Sequence, residues 1–174
     1  MKILLSAHND DETLFAAFTL MREKPLVVIC TDSYIQFERG DKITAEQRRN
    51  ETLAAMKLLG CEVAFLGIKD TELTEENLAM MLGTFDSSMI VYAPALQGGN
   101  AQHDIVSRVA DRLFDRVVHY MTYTKTELHT IGSVEVKPSA EEMALKTQAL
   151  GCYTSQLNLG STRPHFEAVI EKSE

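Results

Sequence analysis

Met1 to Glu12 read MKILLSAHNDDE, and the reading of this stretch decides the fold. Ile3 to Ala7 form a short buried strand. The strand runs directly into His8, Asn9, Asp10, Asp11 and Glu12, and then into an apolar helical pattern from Leu14 to Met21. An imidazole and three carboxylates at one strand end is a costly arrangement, because like charges repel and shift each other's pKa. A cation would neutralise it, and neutral His with carboxylate is a donor set that suits zinc. The same acids could instead cap the following helix, where negative side chains are favoured. One acid would serve that purpose, yet from these residues alone both readings stand.

Moving outward, Thr13–Arg22 reads as a helix with Leu14, Phe15, Phe18 and Met21 on one face. Lys24 and Pro25 break it. Leu26–Thr31 (LVVICT) is a continuous apolar run rich in β-branched residues, as in a strand covered on both faces. Strand, helix and strand make a βαβ unit, which implies a right-handed crossover and parallel pairing. Thr44–Leu59 is a helix with Thr44 as N-cap, Gln47 in capping-box position, Leu53, Met56 and Leu59 (with Ala54 and Ala55) on its buried face, and Gly60 closing it. Glu62–Leu66 is a third strand, with Gly67–Asp70 just past its end. Thr74–Leu82 is a helix with Thr74 and Asn77 as its cap pair, ended by Gly83.

Met89–Ala93 is a fourth strand, followed by a loop, Pro94–Gln102, that holds adjacent Gly98 and Gly99. A helix from about Ala101 to Phe114 buries Ile105, Val106, Val109 and Leu113. Val117–Tyr123 reads as a fifth strand and Ser133–Val136 as a short strand or hairpin. Ser139–Leu150 is a helix with Ser139 and Glu142 in a capping box, and no long element is expected after Cys152. The expected fold is α/β: a Rossmann-like, mostly parallel sheet with helices on both faces, forming a single domain over residues 1–174.

Composition narrows the function classes. The chain has 174 residues, 45% hydrophobic and 24% charged, which suits one globular domain. Its net charge of −8 argues against coating nucleic acid or an anionic membrane. No apolar run is long enough to cross a bilayer, and no basic region followed by a long apolar run marks a secretory signal. Cys30, Cys61 and Cys152 lack metal-type spacing and read as reduced, mostly buried thiols of a cytoplasmic protein. No G-x-G-x-x-G follows the first strand, which makes a dinucleotide site a poor reading.

Three polar loops follow parallel strands: His8–Glu12, Asp32–Lys42 and Pro94–His103. In a doubly wound sheet they converge on one edge. They bring His8, Asp10, Asp11 and His103 into one set, enough for three metal ligands and a carboxylate to take a proton from water. His103 alone would be an ordinary polar residue at a helix start. Tyr34 and Phe37 could wall a substrate or fold back on the core.

Six runs in order carry a resemblance. Ala7-His8-Asn9-Asp10-Asp11-Glu12 resembles the AHPDDE signature of the PIG-L/LmbE-like N-deacetylases, with Asn9 in place of proline. Val28–Ser33 (VICTDS) is similar to the family's second strand. Arg48-Arg49-Asn50-Glu51 with Leu58-Leu59-Gly60 resembles its R-x-x-E helix, and Phe65-Leu66-Gly67 to Asp70 its FLG-x-x-D turn. Gly98-Gly99-Asn100-Ala101-Gln102-His103 occupies the place of Gly-Gly-His-Pro-Asp-His. Lys146 with Ala149-Leu150, and Tyr153-Thr154-Ser155-Gln156, resemble its K-x-x-AL and H-x-SQ segments.

The resemblance implies metal-dependent hydrolysis of an N-acetyl group from an amino sugar or its conjugate, usually with Zn2+. It implies His8, Asp11 and His103 as metal ligands, Asp10 as general base, and Arg48 and Asp70 as contacts to sugar hydroxyls. An internal ion pair of Arg48 with Glu51 is the alternative for that arginine. Another divalent metal would also fit His2Asp.

The chain departs from the family at Asn100, where His is expected, and at Gln102, where Asp is expected. Asn100 can donate a hydrogen bond to an oxyanion but cannot transfer a proton. Gln102 can accept a hydrogen bond from a metal-bound His but brings no charge. Asp10, His129 or His165 would then have to protonate the leaving amine, although the two histidines read more simply as surface residues. Asn9 for proline should mainly loosen its loop. A catalytically weakened metal- or sugar-binding module is the alternative function. A small-molecule substrate, no nucleic acid, no membrane insertion and room for a homo-oligomer complete the expectations.

Overall fold

The structure is a computed structural model that describes residues 1–33, 35–36, 42–122 and 136–159. In chain order its elements are β1 (Lys2–Ser6), α1 (Asp11–Glu23), β2 (Leu26–Asp32), β3 (Ile35–Gln36), β4 (Lys42–Ile43), α2 (Ala45–Leu59) and β5 (Val63–Lys69). Then follow a 3-10 turn (Asp70–Glu72), α3 (Glu75–Leu82), β6 (Ile90–Pro94), α4 (Ala101–Leu113), β7 (Arg116–Tyr120), α5 (Ala140–Leu150) and α6 (Thr154–Leu157).

The main sheet has the order β5-β2-β1-β6-β7, and every pairing in it is parallel. β1 is central, with Ile3 beside Leu26 of β2 and Val91 of β6. The chain builds outward through β2 to β5 on one side and through β6 to β7 on the other. The carboxyl ends of β1 and β6 therefore flank the point where strand order reverses, which is where open α/β sheets bind ligands.

β1 explains why the sheet is covered twice. Ile3, Leu4 and Leu5 have no exposed surface, and successive strand residues face opposite sides. Ile3 and Leu5 pack with Val28 and Val91 against Leu78 and Leu82 of α3 and Val106 and Val109 of α4. Leu4 packs with Val27 and Ile29 against Leu20 of α1, Met56 and Leu59 of α2, and Ala149 and Leu150 of α5. Each fully buried Leu or Ile contributes about 1.5–3 kcal/mol by leaving water.

Helix ends follow the cap residues. Thr74 with Asn77, and Ser139 with Glu142, form reciprocal capping boxes. Thr44 Oγ1 accepts the Gln47 N–H at 3.1 Å; the Gln47 side chain turns to Glu51 Oε1 instead of completing the box. Gly60 closes α2 at φ 67°, a left-handed conformation that glycine adopts without a Cβ penalty.

Several expected boundaries move. α1 begins at Asp11, two residues before the expected start, so two acids of the loop belong to its first turn. β5 extends through Gly67 to Lys69; Gly67 has φ 72° and lies opposite a register shift in β2. β7 is Arg116–Tyr120 and stops before Met121. On α2, Leu53 is 48% exposed and Ala54 is exposed, against expectation, while Arg48, Glu51 and Thr52 point inward with Ala55, Met56 and Leu59. The helix turns a polar strip toward the end of β1. Within and just past the Asp32–Lys42 stretch lies a small antiparallel pair, Ile35 beside Ile43 and Gln36 beside Lys42. Tyr34, Phe37, His129, His165 and Ser133–Glu135 of the expected hairpin lie outside the described residues. No described helix is long and apolar enough to cross a membrane.

Candidate functional site

β1 ends by handing its polar residues to the switch point. Ala7 O accepts from both the backbone N–H and the hydroxyl of Thr31, at 3.1 and 2.8 Å, which pins the strand end to β2. Asp11 opens α1, and its Oδ2 accepts the backbone N–H of His8 at 2.9 Å. The same oxygen lies 2.9 Å from His8 Nδ1 and 2.9 Å from His103 Nε2, and the two nitrogens are 3.3 Å apart. His103 comes from the first turn of α4 and is 2% exposed. One oxygen and two nitrogens thus form a compact triangle, and the three residues make a group that could hold a metal ion. Tetrahedral bonds of about 2.0–2.1 Å place neighbouring donors about 3.3 Å apart, so the residues fit a cation such as zinc.

The far side of each imidazole is also held. Gln102 Nε2 donates to Asp70 O at 2.7 Å, so its Oε1 end faces His8 Nε2, to which it makes a close hydrogen bond. An amide oxygen only accepts. His8 therefore carries a proton on Nε2 toward Gln102, and a cation in the triangle would take the place of the second proton, on Nδ1. His103 Nδ1 meets Thr122 Oγ1 at 3.2 Å, and Gln97 Oε1 accepts from Thr122 N at 2.8 Å. Burial opposes charge on Asp11, but the two flanking histidines outweigh it and hold the carboxyl far below the usual range. Burial likewise opposes charge on His8, yet Asp11 and Gln102 push its pKa up to about 9.

Asp10 is the N-cap of α1 and stands at φ 146°, with no hydrogen bond from its side chain to the helix. A non-glycine residue held there costs about 1–3 kcal/mol and persists only where its surroundings over-determine it. Its backbone N–H donates to Glu12 Oε2 at 3.0 Å. Its carboxylate Oδ2 accepts from Arg48 Nη2 at 3.0 Å. Burial raises the Asp10 pKa, the Arg48 charge lowers it, Asp11 raises it again, and the result is a carboxyl pushed up to about 6. Glu12 is fully buried; burial pushes its carboxyl up to about 7 while the Tyr153 hydroxyl pulls it back.

The remaining expected site residues take clear places. Arg48 is 2% exposed, and its guanidinium binds Asp10, the Asn9 carbonyl, Ser155 Oγ and, at 3.8 Å, Glu51. Of the two roles expected for Arg48, the ion pair with Glu51 is present, and the α2 strip that carries it faces the protein interior. Asp70 starts the 3-10 turn after β5 and lines a cavity of about 390 Å³ with Asp32, Ala45, Lys69 and Thr71. Asp70 Oδ1 is buried with no hydrogen-bond partner among the described residues. Asn100 is the N-cap of α4; its Oδ1 accepts from Gln102 N at 2.8 Å and His103 N at 3.4 Å. Asn9, far from loosening its loop, is fully buried and donates to Thr52 Oγ1 at 3.1 Å. Tyr153 and Ser155 had no role assigned from sequence beyond the motif resemblances, and Glu12 and Glu51 only those of helix cap and Arg48 partner. The R-x-x-E and SQ motifs were the signal that could have found them.

Comparisons with known proteins place this geometry. Residues 3–114 match the family described as PIG-L: GlcNAc-PI de-N-acetylase. No curated protein matches the chain. Among solved structures, the A40926 pseudoaglycone deacetylase Dbv21 is 18% identical at TM-score 0.72, covering 98% of this chain and 88% of its own. The zinc-inhibited form of teicoplanin deacetylase Orf2 is 16% identical at TM-score 0.71, covering 99% and 91%. GalB, the 4-carboxy-2-hydroxymuconate hydratase of Pseudomonas putida KT2440, is 16% identical at TM-score 0.60, covering 99% and 84%. These likenesses establish the fold, and a hydratase among them means that the fold alone does not select the reaction. With the family match spanning most of the chain and the fold agreeing, this protein belongs to the PIG-L family.

Proposed function

We propose that the chain is a divalent-metal-dependent N-deacetylase that hydrolyses an N-acetyl group from an amino sugar or its conjugate, with Asp10 as general base. One observation carries the reading: the donor atoms of His8, Asp11 and His103 meet at 2.9–3.3 Å beside an Asp10 carboxylate that Arg48 holds. Two imidazoles and a carboxylate favour zinc. A cation held there supplies Lewis acidity, polarising an acyl carbonyl and lowering the pKa of water.

The chain's own residues do the rest. With its pKa pushed up to about 6, Asp10 is ionised at neutral pH and still basic enough to accept a proton from attacking water. It then returns that proton to the departing nitrogen as the C–N bond breaks, giving acetate and the free amine. This removes the need for an acid at Asn100, whose cap instead aligns the His103 backbone. Asp70, at the cavity wall, is the residue placed to meet a sugar hydroxyl. Cys30, Cys61 and Cys152 are free thiols, which fits a reducing, cytoplasmic setting.

A metal- or sugar-binding module with weakened catalysis is the second reading, favoured by the neutral Gln102 against His8. Acetate release from a panel of N-acetylated amino sugars, measured with and without a chelator, separates the two. Chelator-sensitive release is expected. Zinc retained on purification with no release from the whole panel would favour the binding module.

A further inference from the structure

Two buried chains of hydrogen bonds run from the start of α6 back to Asp10. On the first, the Tyr153 hydroxyl donates to Glu12 Oε1 and lies 3.0 Å from Thr13 Oγ1. Glu12 Oε2 in turn accepts the Asp10 backbone N–H and the Ser6 hydroxyl, each at 3.0 Å. On the second, Glu51 accepts from Ser155 N at 2.8 Å, Ser155 Oγ at 2.6 Å and Thr154 Oγ1 at 3.0 Å. Glu51 pairs with Arg48, which also donates to Ser155 Oγ at 3.4 Å, to the Asn9 carbonyl and to Asp10 Oδ2. The backbone of Asp10 is thus held from one side and its carboxylate from the other. Both tethers start in Tyr153–Ser155, outside the residues 3–114 that match the family. Tyr153 has no exposed surface, and Ser155 and Glu51 are 5% and 6% exposed.

We propose that Tyr153 and Ser155 are positioning residues that clamp Asp10 at its positive φ and aim its carboxylate. Through Glu12 on one side and through Glu51 and Arg48 on the other, their hydrogen bonds lead to Asp10, so their loss is expected to fall first on the base. The kinetic side of this inference rests on the deacetylase reading; its structural side does not.

The test compares the full chain with Tyr153→Phe, Ser155→Ala, the double variant, and Ser155→Thr, which keeps the hydroxyl. Three readouts are taken: zinc per chain, kcat and KM for acetate release, and a crystal structure of each variant. The double variant is expected to bind zinc at the wild-type ratio, to lose tenfold or more in kcat with KM within twofold, and to show Asp10 leaving positive φ and Arg48. Ser155→Thr should recover most of the kcat lost in Ser155→Ala. An Asp10 that keeps its φ and its Arg48 contact in the double variant overturns the proposal, whatever the activity. A kcat within twofold of wild type overturns it equally. If the double variant does not fold, Tyr153→Phe, which removes one oxygen atom, carries the same readouts. If wild type releases no acetate, the deacetylase reading fails and the crystal structures alone decide the positioning.

Discussion

Arg48 Nη2 lies 3.0 Å from Asp10 Oδ2, with the two side chains 2% and 11% exposed. Burying these charges is sustained by the close pairing and by Glu51 on the far side of the guanidinium. Replacing Arg48 by Met would leave two carboxylates buried without their cation, which costs about 3–5 kcal/mol. For a chain of this size the melting temperature should fall by about 10 °C, at about 2–4 °C per kcal/mol. Arg48→Lys, which keeps the charge but loses the planar fork, should fall less. Thermal melts of the three proteins check this, and an unchanged melting temperature in Arg48→Met would count against the pairing.

Gln102 orients His8 through a neutral acceptor while Asp70 O fixes which end of the amide is presented. Partners of this kind typically contribute about 10–100-fold to metal affinity. Gln102→Leu should weaken zinc binding by about that factor, read by competition with a chromophoric chelator. Affinity equal to wild type would mean that the His8 tautomer is set by something else.

Lys146 is 8% exposed, donates to Leu14 O at 2.8 Å and lies 5.0 Å over the Phe18 ring. Burial pulls its pKa down from 10.5 to about 8. Between those two values the unfolded chain keeps a proton that the folded chain has released, so stability rises with pH across that window. Below about pH 8 both states are protonated and the full cost of burying the charge is present. The rise should be about 2–3 kcal/mol, at about 1.4 kcal/mol per pKa unit. Lys146→Met keeps the stem and removes the charge. Urea midpoints at pH 7, 9 and 10.5 should converge for the two proteins as pH rises, with the variant the more stable at pH 7. Parallel curves would contradict the buried charge.

The fold was legible where local signals agree with tertiary ones. LVVICT reads as a strand buried on both faces and is one, and Thr74, Ser139 and Gly60 mark helix ends by chemistry that acts within one turn. Strand ends were less legible, because the extension of β5 through Gly67 depends on an irregular register with its neighbour β2. At the site, His8, Asp11 and His103 were legible as a set of residue types. Residue type alone did not tell Asp10 from Asp11, and only the family resemblance gave them separate roles; in the fold one lies at positive φ before the helix and the next lies inside it. For Arg48 two roles stood open, because an arginine on a helix is ordinarily solvated and only the docking of α2 turns it inward to Glu51 and Asp10. The partnership of Glu12 with Tyr153 joins residues 141 positions apart, beyond any local pattern.

Asp10 carries the proposed chemistry most directly. Asp10→Asn keeps the size of the side chain, tolerates the same backbone and cannot accept a proton. The decisive measurement is acetate release by this variant from N-acetylated amino sugars, with zinc content and circular dichroism matched to wild type. A general base contributes about 10²–10⁴-fold, so release should fall by about a hundredfold or more at unchanged zinc content. Undiminished release would show that Asp10 is not the base.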